Sequence, residues 1–157
     1  MANFATNNTL VGTQQNMSST YKTLVSAYNP ASGTLRRIKV YDLLVGTNGT
    51  PADNYVEWDV SRSTSAGTGT AATPLPLDPA DAAAVTLSLA NITVEPTVTA
   101  SSDVFYVGVN QRASYRWVAA PGSELVAPAV ATNGFVLRAK SAGYTGTATG
   151  HIYFQEQ

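Results

Sequence analysis

From Val107 to Glu124 the chain reads Val-Gly-Val-Asn-Gln-Arg-Ala-Ser-Tyr-Arg-Trp-Val-Ala-Ala-Pro-Gly-Ser-Glu, and after Arg112 its side chains alternate. Ala113, Tyr115, Trp117 and Ala119 fall on one side, while Ser114, Arg116 and Val118 fall on the other. A period of two is that of a half-buried strand. Pro121-Gly122 then ends the run, because proline presets φ for a turn and glycine tolerates a positive one. Short alternating runs cut by such turns leave few options beyond a sheet protein.

The rest of the chain follows the same grammar. Strands are expected at Thr20–Tyr28, Thr34–Val45, Tyr55–Ser61, Val85–Leu89 running on towards Val94, Asp103–Val109, Ala113–Ala119, Glu124–Ala127, Gly134–Ser141 and Thr147–Gln155. Asn29 to Gly33 and Gly46 to Pro51 carry turn chemistry at nearly every position. In Thr34–Val45, Ile38 and Val40 face away from Lys39 and Tyr41, yet Leu43 and Val45 later share the charged face. Such a phase break fits a bulge. In Tyr55–Ser61, Val56, Trp58 and Val60 form an inner face, and Tyr55, Glu57 and Asp59 a solvated outer one. Asp103–Val109 is apolar on both faces, as in a central strand or one covered by a helix, a loop or another subunit.

Residues 63–74 read as a low-complexity loop with room for one irregular edge strand. Asp78-Pro79-Ala80-Asp81 opens the one helical signal, with Asp78 as N-cap and Pro79 in the first position. These elements predict an all-β chain: a β-sandwich whose strand count suits a jelly roll, with one short helix near 79–84. An immunoglobulin-like sandwich is the nearest competitor. Core anchors are expected at Trp58, Phe105, Tyr115, Trp117 and Phe154. Residues 1–19 read as a polar N-terminal arm with Phe4, Leu10, Val11 and Met17 as its apolar anchors, packed either on a neighbour or on its own domain. Residues 20–157 form a single β-sandwich domain.

Composition narrows function. Charged residues make up 12% of the chain, against roughly 25% in an average soluble protein, so the surface is hydroxyl-rich and weakly self-repelling. A net charge of −1 offers no basic excess to neutralise phosphates, and no nucleic-acid partner is expected. No apolar run approaches the ~20 residues that span a bilayer, so no membrane is expected either. The N-terminus lacks the basic and apolar segments of a secretory signal, which predicts a protein made in a cytoplasm. There is no cysteine and one histidine, His151, so no transition-metal site and no cofactor are expected.

Catalysis has little to stand on. Tyr55, Glu57 and Asp59 share a face, and paired carboxylates beside an aromatic serve glycoside hydrolysis. Alternation alone produces such faces, and no nucleophile-elbow or phosphate-loop pattern occurs. The expectation is that the protein is not an enzyme. Basic side chains at Arg36, Arg37, Lys39, Arg112 and Arg116 are the candidate partner contacts.

Several stretches also carry a resemblance. Gly46-Thr47-Asn48-Gly49-Thr50-Pro51-Ala52-Asp53-Asn54, Asp59-Val60-Ser61-Arg62, Pro76-Leu77-Asp78-Pro79-Ala80-Asp81, Glu95-Pro96-Thr97 and Asn110 through Leu125 resemble small structural proteins of tailed bacteriophages, the head decoration or cement proteins. The resemblance spans roughly residues 36–155 and leaves the N-terminal arm outside it. It implies a β-sandwich or jelly roll on the outer surface of the virion capsid. The implied partners are the major capsid protein and, in a homotrimer, further copies of itself. The family has no catalytic residues to carry over. Two other functions stay open: a carbohydrate-binding or host-adhesion module, and a tail or baseplate component of a virion. Exposed aromatics gathered on one face would favour the carbohydrate reading.

Overall fold

A computed structural model describes residues 1–9, 15–50 and 52–157. Leu10 and Val11 of the expected arm, and Pro51 of the second turn, lie outside the described residues. The chain forms β1 (Asn3–Asn7), β2 (Gln15–Asn16), β3 (Lys22–Tyr28), β4 (Ile38–Asn48), β5 (Tyr55–Ser63), β6 (Thr68–Ala71), β7 (Leu75–Pro76), β8 (Leu89–Val94), β9 (Val98–Asn110), β10 (Tyr115–Val118), β11 (Leu125–Ala127), β12 (Gly134–Lys140) and β13 (Thr147–Glu156). They make two antiparallel sheets packed as a β-sandwich. The larger has the order β10-β4-β13-β1-β7, with β11 also on β4 and β2 also on β13; the smaller has the order β6-β8-β3-β12-β5-β9.

Alternation sets the core. Val56, Trp58 and Val60 from β5 meet Ile38, Val40 and Leu43 from β4 and Ile152 and Phe154 from β13, all buried. The phase break in β4 is a bulge. Val40 pairs with Phe154 and Asp42 with Tyr153, so Tyr41 is the extra residue that returns Leu43 and Val45 to the inner face. The turns at Gly33 and Gly122 have φ of +92° and +85°, the region open to glycine.

Within the N-terminal arm, Asn3–Asn7 and Gln15–Asn16 are strand. β1 pairs with both β13 and β7, and Phe4 stacks on Phe154 with ring centroids 5.5 Å apart. Met17 is also buried. Of the two alternatives for residues 1–19, the described ones lie on their own domain.

No helix forms at 79–84, or anywhere else among the described residues. Asp78 does cap: its carboxylate accepts from the Ala80 N–H at 2.9 Å and its carbonyl from the Asp81 N–H at 3.0 Å. The turn stops there because Ala80 to Ala83 are exposed, and one turn with no face to bury does not offset nucleation. Val85 to Ser88 are likewise not strand; β8 starts at Leu89.

β9 is the edge of the smaller sheet rather than a central strand. Its Phe105, Val107 and Val109 are partly buried against the core, and Tyr106 is exposed. Among the expected core anchors, Trp58 and Phe154 are fully buried, whereas Phe105, Tyr115 and Trp117 are only half-buried. The alternation placed them on the correct face, but at the margin of the sandwich where the facing layer ends.

Trp58 is sealed in the core with its indole N–H unpartnered. Trp58→Ala is therefore expected to cost about 3–5 kcal/mol, the range for a buried aromatic. Trp58→Phe should cost less than half of that, since it removes a buried donor that has nothing to bond. Urea unfolding of the two variants checks the ordering; equal losses would contradict it.

Candidate functional site

The five basic candidates do not form one patch. Arg116 forks onto Asp42, donating from Nη2 at 2.6 Å and from Nε at 3.1 Å. Asp42 is buried, and this bond raises the Arg116 guanidinium further above its usual pKa. Arg112 pairs with Asp53 at 2.9 Å and Lys39 with Glu124 at 3.6 Å. Arg36 and Arg37 are exposed and make no ion pair among the described residues. Three of the five positive charges are thus neutralised within the chain. The charge left for a partner is at 36–37, beside the C-terminus: the backbones of Arg37 and Gln157 bond each other at 2.8 and 3.0 Å.

The turn between β9 and β10 has a structural centre that alternation alone did not reveal. Gln111 is buried; its side-chain carbonyl accepts from the Ala52 N–H at 2.6 Å and its side-chain amide donates to the Thr47 hydroxyl at 3.3 Å. Its backbone N–H donates to the Asn54 carbonyl at 2.7 Å, and its carbonyl accepts from the Thr47 hydroxyl at 2.8 Å. With Arg112 on Asp53, this knot ties the β9–β10 turn to the β4–β5 connection. Two of the most distinctive sequence stretches, Gly46–Asn54 and Asn110–Leu125, therefore meet each other in space.

On the flank beside this knot the sandwich is open. β10 ends one sheet and β9 the other. Phe105 bridges them, with centroids 6.0 Å from Tyr115 and 5.8 Å from Trp117. Phe105, Val107, Val109, Tyr115 and Trp117 pack on the core from one side and remain partly exposed on the other.

The outer face of the smaller sheet is solvated at Tyr55 but not, as was expected, at Asp59. Asp59 is 2% exposed. The connection from β8 to β9 crosses this face: the Glu95 carboxylate accepts from the Thr23 hydroxyl at 2.6 Å, Pro96 is buried, and the Thr97 N–H donates to Ser65 at 2.7 Å. Burial pushes the Asp59 carboxyl up, against the downward pull of the Arg138 guanidinium 2.5 Å away and of the Ser61 hydroxyl. Beyond the crossing lies Glu57, where burial also acts upwards but is outweighed by the Lys140 ammonium at 3.1 Å and by tyrosine hydroxyls, so its carboxyl is lowered. Tyr21 donates to Glu57 at 3.2 Å and lies 4.7 Å from both the Arg138 and the Lys140 cations. Burial, then the charges of Glu57 and Asp59, push its hydroxyl up to about 12. Each carboxylate of the candidate catalytic pair thus has its own cation.

His151 stands opposite Leu44 on the outer face of the larger sheet, half-buried, with its ring 6.5 Å from that of Tyr153. Among the described residues no three His, Asp or Glu side chains gather as a metal cluster. Comparison with protein-family models, with curated proteins and with solved structures finds no match for this chain.

Two outcomes follow from this geometry. Gln111→Leu leaves the Ala52 N–H without its acceptor and should cost about 1–3 kcal/mol; thermal unfolding reads it. Burial lowers the His151 pKa below its usual value, so the unfolded chain takes up the proton first as pH falls. Stability is then lost from about pH 6.5 downwards. His151→Gln should melt with a shallower pH dependence than wild type between about pH 7 and 5. Identical profiles would mean the imidazole is not sensed by the fold.

Proposed function

We propose that the protein is a virion structural component that binds the outer surface of a tailed-phage head and stabilises the mature capsid. In this reading its partners are the major capsid protein and further copies of itself in a homotrimer. It performs no reaction, uses no cofactor, and touches neither nucleic acid nor membrane. The observation that carries the reading is the open flank between β9 and β10. Two sheet edges meet there over half-exposed Phe105, Tyr115 and Trp117, an apolar margin suited to being covered by another subunit. The neutralised surface adds to it, since internal ion pairs and a net charge of −1 leave little repulsion between close-packed copies.

The jelly-roll reading of the sandwich belongs with this proposal. Eight strands, β1, β3, β4, β5, β9, β10, β12 and β13, support it by their order. In one sheet the run β10-β4-β13-β1 sets the last of the eight between the first and third. In the other, β3-β12-β5-β9 sets the seventh between the second and fourth. That is the interleaving of two Greek keys.

A decoration protein acts by mass action: it binds the mature lattice, not the disrupted one, and so favours the former. Purified protein mixed with capsids lacking it should bind and raise their melting temperature. Val107→Asp, which puts a charge on the flank, should weaken binding, with melting of the free protein as the control for folding. If the wild-type protein neither binds those shells nor raises their melting point, the proposal fails.

A further inference from the structure

We propose that the outer face of the smaller sheet, at Tyr55 and Tyr106, is a binding site for a neutral saccharide. The two side chains are 54% and 53% exposed, although most large aromatics of the chain are turned inwards. Their hydroxyls stand 2.7 Å apart and share a hydrogen bond. The bond to Tyr55, then burial, then Glu57 raise the Tyr106 pKa, so the Tyr106 phenol stays neutral. Glu57 pairs in register with Gly108, and Tyr55 lies over that glycine: a methyl group added at 108 would fall 2.2–2.5 Å from the Tyr55 ring and hydroxyl. The backbone of β9 is thus the floor on which the ring rests, and no other residue at 108 leaves it there. An exposed ring held against a sheet backbone offers a stacking surface at little cost in conformational entropy.

Beside the rings is a cleft of about 220 Å³ lined by Ser19, Tyr55, Glu57, Lys140, Ser141 and Gly143 among others. Its polar groups are already oriented. Lys140 holds Glu57 at 3.1 Å, and Tyr21 binds both, donating to Glu57 and lying under the Lys140 ammonium. The carboxylate accepts hydrogen bonds from hydroxyls and the ammonium donates them, so adjacent sugar hydroxyls can be read in both senses. The C–H face of a pyranose ring would stack on Tyr55. Aromatic walls with a few placed polar groups are the usual make-up of a small-ligand site.

Charge selects among ligands that stack. Glu57 and Lys140 cancel, and Arg138 next to them is neutralised by Asp59. An anionic ligand such as a nucleotide finds no uncompensated cation here, and a cationic one no uncompensated carboxylate. A neutral, hydroxyl-rich ring is what remains.

The test uses the isolated full-length protein and goes beyond capsid binding, so the two proposals fail separately. Cellohexaose, maltohexaose, N-acetylchitohexaose and, as an anionic comparison, sialyllactose are titrated while ring signals of Tyr55 and Tyr106 are followed by NMR. At least one neutral probe should shift both rings saturably. Tyr55→Ala and Gly108→Val should each weaken that binding by about tenfold or more, while Tyr55→Phe, which keeps the ring, retains most of it. Folding of each variant is checked by its melting temperature; if Gly108→Val does not fold, Tyr55→Ala, at an exposed position, decides alone. No saturable shift with any neutral probe, shifts confined to other residues, preference for sialyllactose, or undiminished binding by Tyr55→Ala would each overturn the proposal.

Discussion

β13 is the strand on which the sandwich depends. It pairs along most of its length with β4 on one side and β1 on the other, and Phe154 on it stacks against Phe4. The two ends of the chain are therefore neighbours in the middle of the larger sheet. Their pairing joins strands from the two extremes of the chain. Non-local pairing of this kind is intrinsically slow, because loop-closure entropy is spent before the contacts reward it. The same closure explains why Asn8, a polar residue just after β1, is fully buried. Its side chain bonds the Ala148 carbonyl at 2.8 Å and the Gly150 N–H at 2.9 Å, doing for the end of β1 what another ladder residue would do.

Strand existence and facing were legible wherever one face was apolar and the other not. β5 and the bulge in β4 are the clearest cases: Trp58 and Phe154 are in the core, and Leu43 and Val45 return to it where the phase break required. β1 was not legible. Asn-Phe-Ala-Thr-Asn has a single large apolar residue, and its Thr6 is buried only because the Ser88 hydroxyl meets it at 2.8 Å. No local pattern announces a partner 82 residues away. The helix near 79–84 failed for the converse reason. Its cap was real, but a cap sets where a helix starts and not whether a core is present to hold it.

The surface was harder to read than the core because it is decided by pairs. Alternation put Asp59 outside, and it is on the outer side, yet the β8–β9 crossing covers that side and leaves Asp59 buried with Arg138. Basic residues expected to meet a partner were mostly partners of distant carboxylates: Arg116 of Asp42, Arg112 of Asp53, Lys39 of Glu124. Tyr55 and Tyr106 come together only through the register of β5 on β9, which opposes Tyr55 to Asn110 and Asp59 to Tyr106. Nothing local in the sequence sets Gln111 apart from other polar turn residues. The signal that could have singled it out was its place in a turn between two strands that both had to end at the same corner.

One strand serves both proposed surfaces. Along β9, Phe105, Val107 and Val109 turn inwards to the open flank, while Tyr106 and Gly108 turn outwards to the tyrosine pair and its floor. Among the described residues β9 has a ladder partner only in β5, so its order rests on that ladder, on the Gln111 knot at its end, and on what its inner side chains can bury. Edge strands open at lower free energy than central ones because fewer contacts hold them. Covering the flank would remove that opening and fix Gly108, and with it the plane of Tyr55. A ligand stacked on Tyr55 would in turn favour the same ordered β9 that a covering subunit needs. If both surfaces are used as proposed, linkage would make them mutually reinforcing, through one strand and without any change of fold.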